Sequence, residues 1–186
     1  MIPDSFPARE RGTSLLEVLI TLVVLAIGLL GLAGLQSRLQ ASEMESYQRA
    51  QALVLANDMA SRIAANRSNA GNYVTGADSP LGVGGNCPNG GEQVDDDLRE
   101  WCEALQGASE TSGGNSVGAM VGGRGCVEDL GAGSYRVTVA WQGLVPVSAP
   151  TVTCGQNLYD GQAGSKCVGD LCRRVLITVV RIGDLT

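Results

Sequence analysis

An uncharged apolar run near the N-terminus constrains this chain more than any other feature. From Val18 to Leu35 the sequence contains no charged side chain, and Thr21 is its only polar one. A helix of this length can cross the roughly 30 Å of hydrocarbon in a bilayer. Glu17 stands directly before the run, where a carboxylate costs free energy unless a partner neutralises it. The sequence therefore predicts a membrane-spanning helix whose first turn carries a carboxylate in need of a partner.

The segment before the run differs from an ordinary secretory signal. Such a signal carries its cleavage site after the apolar stretch, whereas the small-residue candidate, Ala50-Gln51-Ala52, lies far downstream. Residues 1–12 contain two prolines and two arginines, which disfavour a helix and favour the cytoplasmic side of a membrane respectively. We therefore expect a leader over residues 1–12 that is cut between Gly12 and Thr13. An uncut N-terminal anchor is the alternative.

The helical pattern continues beyond the membrane run. Apolar residues recur mostly three or four positions apart as far as Ile63, with charged residues between them, as in an amphipathic helix. Residues 13–35 and 36–67 are thus predicted to be the membrane-spanning and amphipathic halves of one helix that ends near Asn66. Their spacing does not hold the strict heptad of a coiled coil.

Residues 68–186 are predicted to form a head domain of the α+β class. Glycine pairs mark loops between Asn72 and Gly133, and a short helix is expected after Asp95-Asp96-Asp97. That triple aspartate lacks EF-hand spacing, so we interpret it as a solvated helix start and not as a metal site.

Two strands are predicted in the last third of the chain, and the sheet is expected to pack on the amphipathic helix half. Residues 134–142 alternate polar and apolar side chains, and residues 174–181 are rich in β-branched ones, so the second strand is expected to be the more central. Two strands alone are marginal. A further strand must come from the loop region, where Tyr73-Val74-Thr75 is a weak candidate.

All six cysteines follow the predicted membrane helix, in a region rich in glycine. An even count in such a chain is typical of a disulfide framework in an oxidising compartment. Fifteen pairings are possible, and the sequence does not choose among them. A zinc site is disfavoured because the chain has no Cys-x-x-Cys pair and no histidine. The candidates are Cys87, Cys102, Cys126, Cys154, Cys167 and Cys172.

The sequence offers no catalytic constellation. It contains no histidine, no Gly-x-Ser-x-Gly motif and no phosphate-binding loop. We therefore expect neither an enzyme nor a bound cofactor. The net charge of −6 argues against nucleic acid as a partner.

The residues around Glu17 resemble a known processing signal. Arg11-Gly12 followed by Thr-Ser-Leu-Leu-Glu-Val-Leu-Ile is similar to the class III signal of type IV pilins and type II secretion pseudopilins. In that family a prepilin peptidase cuts after the glycine and methylates the new N-terminal amine, here that of Thr13. Most members carry Phe at that position, and its replacement by Thr13 favours a minor subunit.

The resemblance also suggests what Glu17 does. The amine freed at Thr13 could pair with Glu17 of a neighbouring subunit, so Glu17 is interpreted as an assembly contact and not as a catalytic acid. Gly28, Gly31 and Gly34 recur at every third position of the run. They indicate either a small-residue packing face or, by the resemblance, a stretch that unwinds locally in a filament.

The resemblance implies a minor type IV pilin that helps to initiate or modify a pilus. Residues 135–143 and 173–180 look like the closing strands of the PilV group of minor pilins. The implied location is the inner membrane, crossed once, with a periplasmic head that enters the pilus. Implied partners are other minor pilins, the major pilin, prepilin peptidase, the inner-membrane assembly platform and the lipid bilayer. The alternatives are a minor pseudopilin of type II secretion and a membrane-anchored periplasmic enzyme or binding domain.

Overall fold

A computed structural model describes residues 14–107, 111–112, 115–116 and 120–183. Two α-helices, a 3₁₀ helix and six strands make up this part of the chain. The chain divides into two compact units, one that ends at Ser42 and one that begins at Glu43. The predicted α+β class, with a long N-terminal helix, a small antiparallel sheet and disulfide-stabilised loops, is confirmed.

The first helix, α1, spans Leu15–Ala65 without a break. It is the one helix among the described residues that is long and apolar enough to cross a membrane, and none of its most apolar window is buried. The helix ends close to the predicted position. The N–H of Asn66 still donates to the carbonyl of Arg62, and a 3₁₀ helix then covers Arg67–Tyr73.

Within the second unit, the C-terminal part of α1 contributes one side of the hydrophobic core. Its buried residues recur every three or four positions, which places them on one face of the helix. The second helix, α2, spans Gln93–Leu105 and buries Trp101 and Leu105 completely in the same core. The buried face of α1 consists of Gln48, Ala52, Ala56, Met59 and Ile63.

The main sheet has four antiparallel strands in the order β1-β4-β5-β6. Their bounds are Leu81–Gly82 for β1, Arg124–Gly131 for β4, Ser134–Gln142 for β5 and Arg173–Arg181 for β6. Two further short strands, β2 (Thr111–Ser112) and β3 (Asn115–Ser116), pair with each other.

Strand β5 has the predicted bounds, but the prediction that residues 174–181 form the more central strand is wrong. Within the described sheet β6 lies at the edge and pairs with β5 alone. β5 is buried on both faces from Val137 to Trp141, whereas Ile177 and Val179 of β6 are 43% and 50% exposed. Richness in β-branched residues indicates a pleated strand but does not report its depth.

The prediction that Tyr73-Val74-Thr75 forms a strand is also wrong. Tyr73 ends the 3₁₀ helix. Thr75 contacts β4 without joining the sheet: its backbone N–H donates to the carbonyl of Val127, and its hydroxyl accepts the N–H of Val127 at 3.0 Å. The third long strand is β4, which lies in the region assigned to loops. At its start Gly125 faces the ring of Trp101 so closely that any side chain there would overlap the indole.

Candidate functional site

The start of α1 is the candidate assembly site, and Ser14 fixes its geometry. The Ser14 hydroxyl accepts the N–H of Leu16 at 3.3 Å, and its carbonyl accepts the N–H groups of Glu17 and Val18 at 2.9 and 3.3 Å. These bonds satisfy donors that a helix start otherwise leaves without partners. Glu17 is thereby placed in the first turn, where the helix dipole favours a carboxylate.

The role of Ser14 as the cap of α1 was not predicted, although the sequence contains a pattern that indicates it. Ser14 and Glu17 have the Ser-x-x-Glu spacing of a capping box, in which the glutamate carboxylate accepts the N–H of the serine. Among the described residues no such bond forms. Glu17 makes no ion pair and no side-chain hydrogen bond there, so its carboxylate is exposed and available.

The helix surface that follows Glu17 is exposed and apolar. Leu25 is 60% and Leu30 is 74% exposed, and every residue from Leu15 to Gln40 is exposed. The hydroxyl of Thr21 donates to the carbonyl of Val18 at 2.8 Å, so the only polar side chain of the run is satisfied within the helix. Exposed apolar surface of this extent marks a membrane or protein contact.

The three glycines of the run lie within α1. A Cβ built at Gly28, Gly31 or Gly34 would meet no atom within 4 Å. None of the described residues therefore requires glycine at these positions. Their use as a packing face or as an unwinding stretch stays a prediction.

Arg11, Gly12 and Thr13, the predicted processing residues, lie outside the described part of the chain. The position of the cut and the methylation of Thr13 therefore stay predictions.

The six cysteines are paired in chain order. Cys87–Cys102 fastens the loop before α2 to the helix, Cys126–Cys154 fastens β4 to the excursion between β5 and β6, and Cys167–Cys172 closes a short loop before β6. No cysteine is free, so none remains as a ligand for zinc. In the described residues no group of three or more metal-ligating side chains is arranged around one point.

Asp97 corrects the interpretation of the triple aspartate as a solvated helix start. α2 begins at Gln93, and Asp95 and Asp96 lie in its first turn, as predicted for an acidic helix start. Asp97, by contrast, is only 7% exposed. Its carboxylate accepts the Tyr73 hydroxyl at 2.5 Å and Arg62 Nη1 at 2.9 Å. Its burial could have been predicted from its position on the apolar face of α2, three residues after Val94.

The charges around Asp97 shift the pKa values of its neighbours. Burial lowers the pKa of the Arg62 guanidinium, but hydrogen bonds and charges from Glu100, Asp58 and Asp97 raise it to a net value above the ordinary one. Burial and the hydrogen bond to Asp97 raise the pKa of the Tyr73 phenol. Arg62, Tyr73 and Asp97 thus join α1, the 3₁₀ helix and α2. Their contacts are those of a structural ion pair.

A second buried charge organises the excursion between β5 and β6. Arg173 is 1% exposed, pairs with Asp170 at 3.2 Å and donates to the carbonyls of Pro150, Val152 and Cys154. One guanidinium therefore replaces the regular backbone pairing that this segment lacks.

Residues 7–33 match the family model described as the prokaryotic N-terminal methylation motif. This match includes the predicted processing residues and Glu17, and it supports a pilin-type chain, either a type IV pilin or a pseudopilin. Together with the long apolar helix it fits a membrane-anchored protein of that type. No curated protein and no solved structure matches the chain.

Proposed function

We propose that this chain is a minor type IV pilin that primes or modifies pilus assembly through helix–helix and head–head contacts after cleavage by prepilin peptidase. The observation that carries the proposal is the exposed Glu17 carboxylate, which has no partner among the described residues and lies within the matched methylation motif. Once the helix enters an apolar environment, this carboxylate requires a partner that the described residues do not provide.

The amine of a processed neighbouring subunit is the partner that fits. Cleavage after Gly12 frees a cation at Thr13, and a neighbour shifted along the filament axis would bring that cation to Glu17. Burial of either charge alone costs several kcal/mol. A subunit out of register is therefore disfavoured, and the correctly placed neighbour is selected.

The exposed helix surface supports the same proposal. The apolar side chains of residues 18–35 lack burial within the described chain, so lipid would cover them before assembly and neighbouring helices would cover them afterwards. The three glycines of the run permit close approach of a neighbouring backbone. We infer a single inner-membrane crossing, with the head in the periplasm until the subunit enters the pilus.

The role is structural and not enzymatic in this proposal. Its partners are other minor pilins, the major pilin, prepilin peptidase and the inner-membrane assembly platform. Thr13, in place of the usual Phe, and the cysteine-rich head favour a minor subunit, and the resemblance of the closing strands favours the PilV group.

A glutamine substitution tests the assembly contact. We expect Glu17→Gln to lower the amount of subunit recovered in sheared pili by more than about tenfold, which corresponds to a loss of ~1.4 kcal/mol. Immunoblots of membranes should show unchanged protein. Glu43→Gln, another exposed glutamate of α1, is the matched control and should leave recovery unchanged. Equal recovery of the two variants would contradict the proposed role of Glu17.

Deletion of the gene separates the candidate functions. Loss of surface pili and of twitching motility, with protein secretion intact, is the expected result. Loss of secretion with pili intact would instead identify a minor pseudopilin. Mass spectrometry of the purified protein should find a methylated Thr13 as first residue, whereas an uncut chain would favour a membrane-anchored periplasmic binding domain.

A further inference from the structure

Arg124, at the start of β4, differs from the other arginines of the described chain that are not exposed. Each of the others has a carboxylate within 4.0 Å, whereas Arg124 has none among the described residues. A half-buried cation without a counter-ion is unusual in a chain of net charge −6. The paired arginines are Arg62, Arg99, Arg136, Arg173 and Arg174.

The guanidinium of Arg124 is nevertheless held in place. Its Cζ lies 4.9 Å from the centroid of the Tyr159 ring, within the range of a cation–π contact. Its Nη1 donates to the carbonyl of Gly122 at 3.3 Å, and the buried Tyr159 hydroxyl donates to the same carbonyl at 2.8 Å. Stacking and this shared acceptor orient the fork in advance, which lowers the cost of binding a ligand.

This guanidinium lines a groove of about 360 Å³, a volume within the usual range for small-ligand sites. Leu81 and Leu158 contribute apolar surface, and Asp78 contributes a carboxylate that makes no ion pair with Arg124. Gly84 approaches so closely that a Cβ there would lie 3.4 Å from Arg124 Nη2. The groove thus combines a cationic fork, an acceptor and apolar contact in one place.

We propose that this groove, which we call the Arg124 groove, binds the C-terminal end of a peptide chain. The terminal carboxylate would take the fork of Arg124, because guanidinium and carboxylate match in two parallel hydrogen bonds. The backbone N–H of the peptide's C-terminal residue would donate to the Asp78 carboxylate. An apolar side chain on that residue would contact Leu158. This site is independent of the helix contact at Glu17 and adds a recognition function to the head.

A titration of the full-length protein in detergent micelles tests the site. The probes are acetyl-glycyl-leucine with a free carboxylate, the same dipeptide as its amide, and methyl glucuronide. The readout is the NMR signal of the Arg124 Nε–H group together with the backbone amides of Gly84 and Gly85. The acid should bind saturably, and the amide should bind at least about tenfold more weakly, because it lacks the charge that pairs with the fork.

Three variants identify Arg124 as the determinant. Arg124→Gln should weaken the acid at least about tenfold, and Arg124→Lys should weaken it less, because lysine keeps the charge but loses the fork. Arg181→Gln, which removes an exposed arginine of β6, should bind like the unchanged protein. Unfolding curves of Arg124→Lys verify that the head stays folded.

Three results would overturn the proposal. Equal binding of acid and amide, or equal loss in Arg124→Gln and Arg181→Gln, would show that Arg124 does not read a carboxylate. Tighter binding of methyl glucuronide than of the peptide acid would assign the groove to acidic sugars and refute the peptide terminus.

Discussion

The two ends of α1 share one secondary structure and have opposite surroundings. Leu25 in the first unit is 60% exposed, whereas Met59 in the second is fully buried. Helical hydrogen bonds form within the chain in both places, but burial of a side chain requires a surface from elsewhere. The second unit therefore provides its own core, whereas the apolar end of α1 is not buried by any of the described residues.

Charged groups follow the same division. Arg62 of the second unit pairs with three carboxylates, those of Asp58, Asp97 and Glu100. Glu17 of the first unit pairs with no group among the described residues. Stability of the head and assembly of the subunit are therefore expected to respond to different substitutions.

The same substitution in each of the two units provides the strongest test. Leu105→Ala should lower the free energy of unfolding of the head by about 2–5 kcal/mol, because Leu105 is fully buried and its removal leaves a cavity. Leu25→Ala should leave that free energy unchanged. Urea unfolding in detergent, followed by tryptophan fluorescence, measures both. Equal effects would contradict the division between the two units.

Two of the disulfides are expected to stabilise the head by different amounts. Replacement of Cys126 and Cys154 by alanine should cost about 3.5 kcal/mol in unfolding free energy, since that bridge joins residues 28 positions apart. Replacement of Cys167 and Cys172, separated by 5 positions, should cost only about 2 kcal/mol. The unfolding midpoints of the two double variants give the comparison. A reversed order would show that strain or residual structure outweighs loop length.

The smallest expected effect concerns the Tyr73 hydroxyl. Because burial raises its pKa in the folded head, its protonated form contributes stability that is complete below pH ~10 and is lost as the pH rises further. Tyr73→Phe should cost about 1 kcal/mol at pH 7, through the lost hydrogen bond to Asp97. That difference should shrink near pH ~11.

Tyr47 provides the control for this measurement. Its side chain is 54% exposed, so Tyr47→Phe should change the unfolding free energy little at either pH. A difference for Tyr73→Phe that stays constant with pH would contradict the raised pKa.

Strong periodicity made much of the fold predictable. The bounds of β5 and the end of α1 could be predicted because alternation and the 3.6-residue repeat are local properties of the sequence. β4 could not, because Glu128 and Asp129 interrupt its pattern. Glu128 is stabilised there by its ion pair with Arg136 on the neighbouring strand, a contact that forms only once the two strands pair.

The functional residues also fall into those that the sequence predicts and those that it does not. Glu17 was identified because a carboxylate beside an apolar run conflicts with its surroundings. The buried role of Asp97 could not be assigned from its neighbours, since Arg62 and Tyr73 reach it from other elements of the fold. The groove at Arg124 could not be predicted for the same reason, because Tyr159 and Asp78 lie far from Arg124 in the chain.

The order of the cysteine pairs has a consequence for how the chain matures. Each cysteine bonds to the next one along the sequence, first with second, third with fourth and fifth with sixth. A chain that enters an oxidising compartment with its N-terminal side first presents each cysteine to its native partner before any later one has arrived. Successive oxidation during export would then yield the native bonds directly, without exchange between wrongly joined thiols.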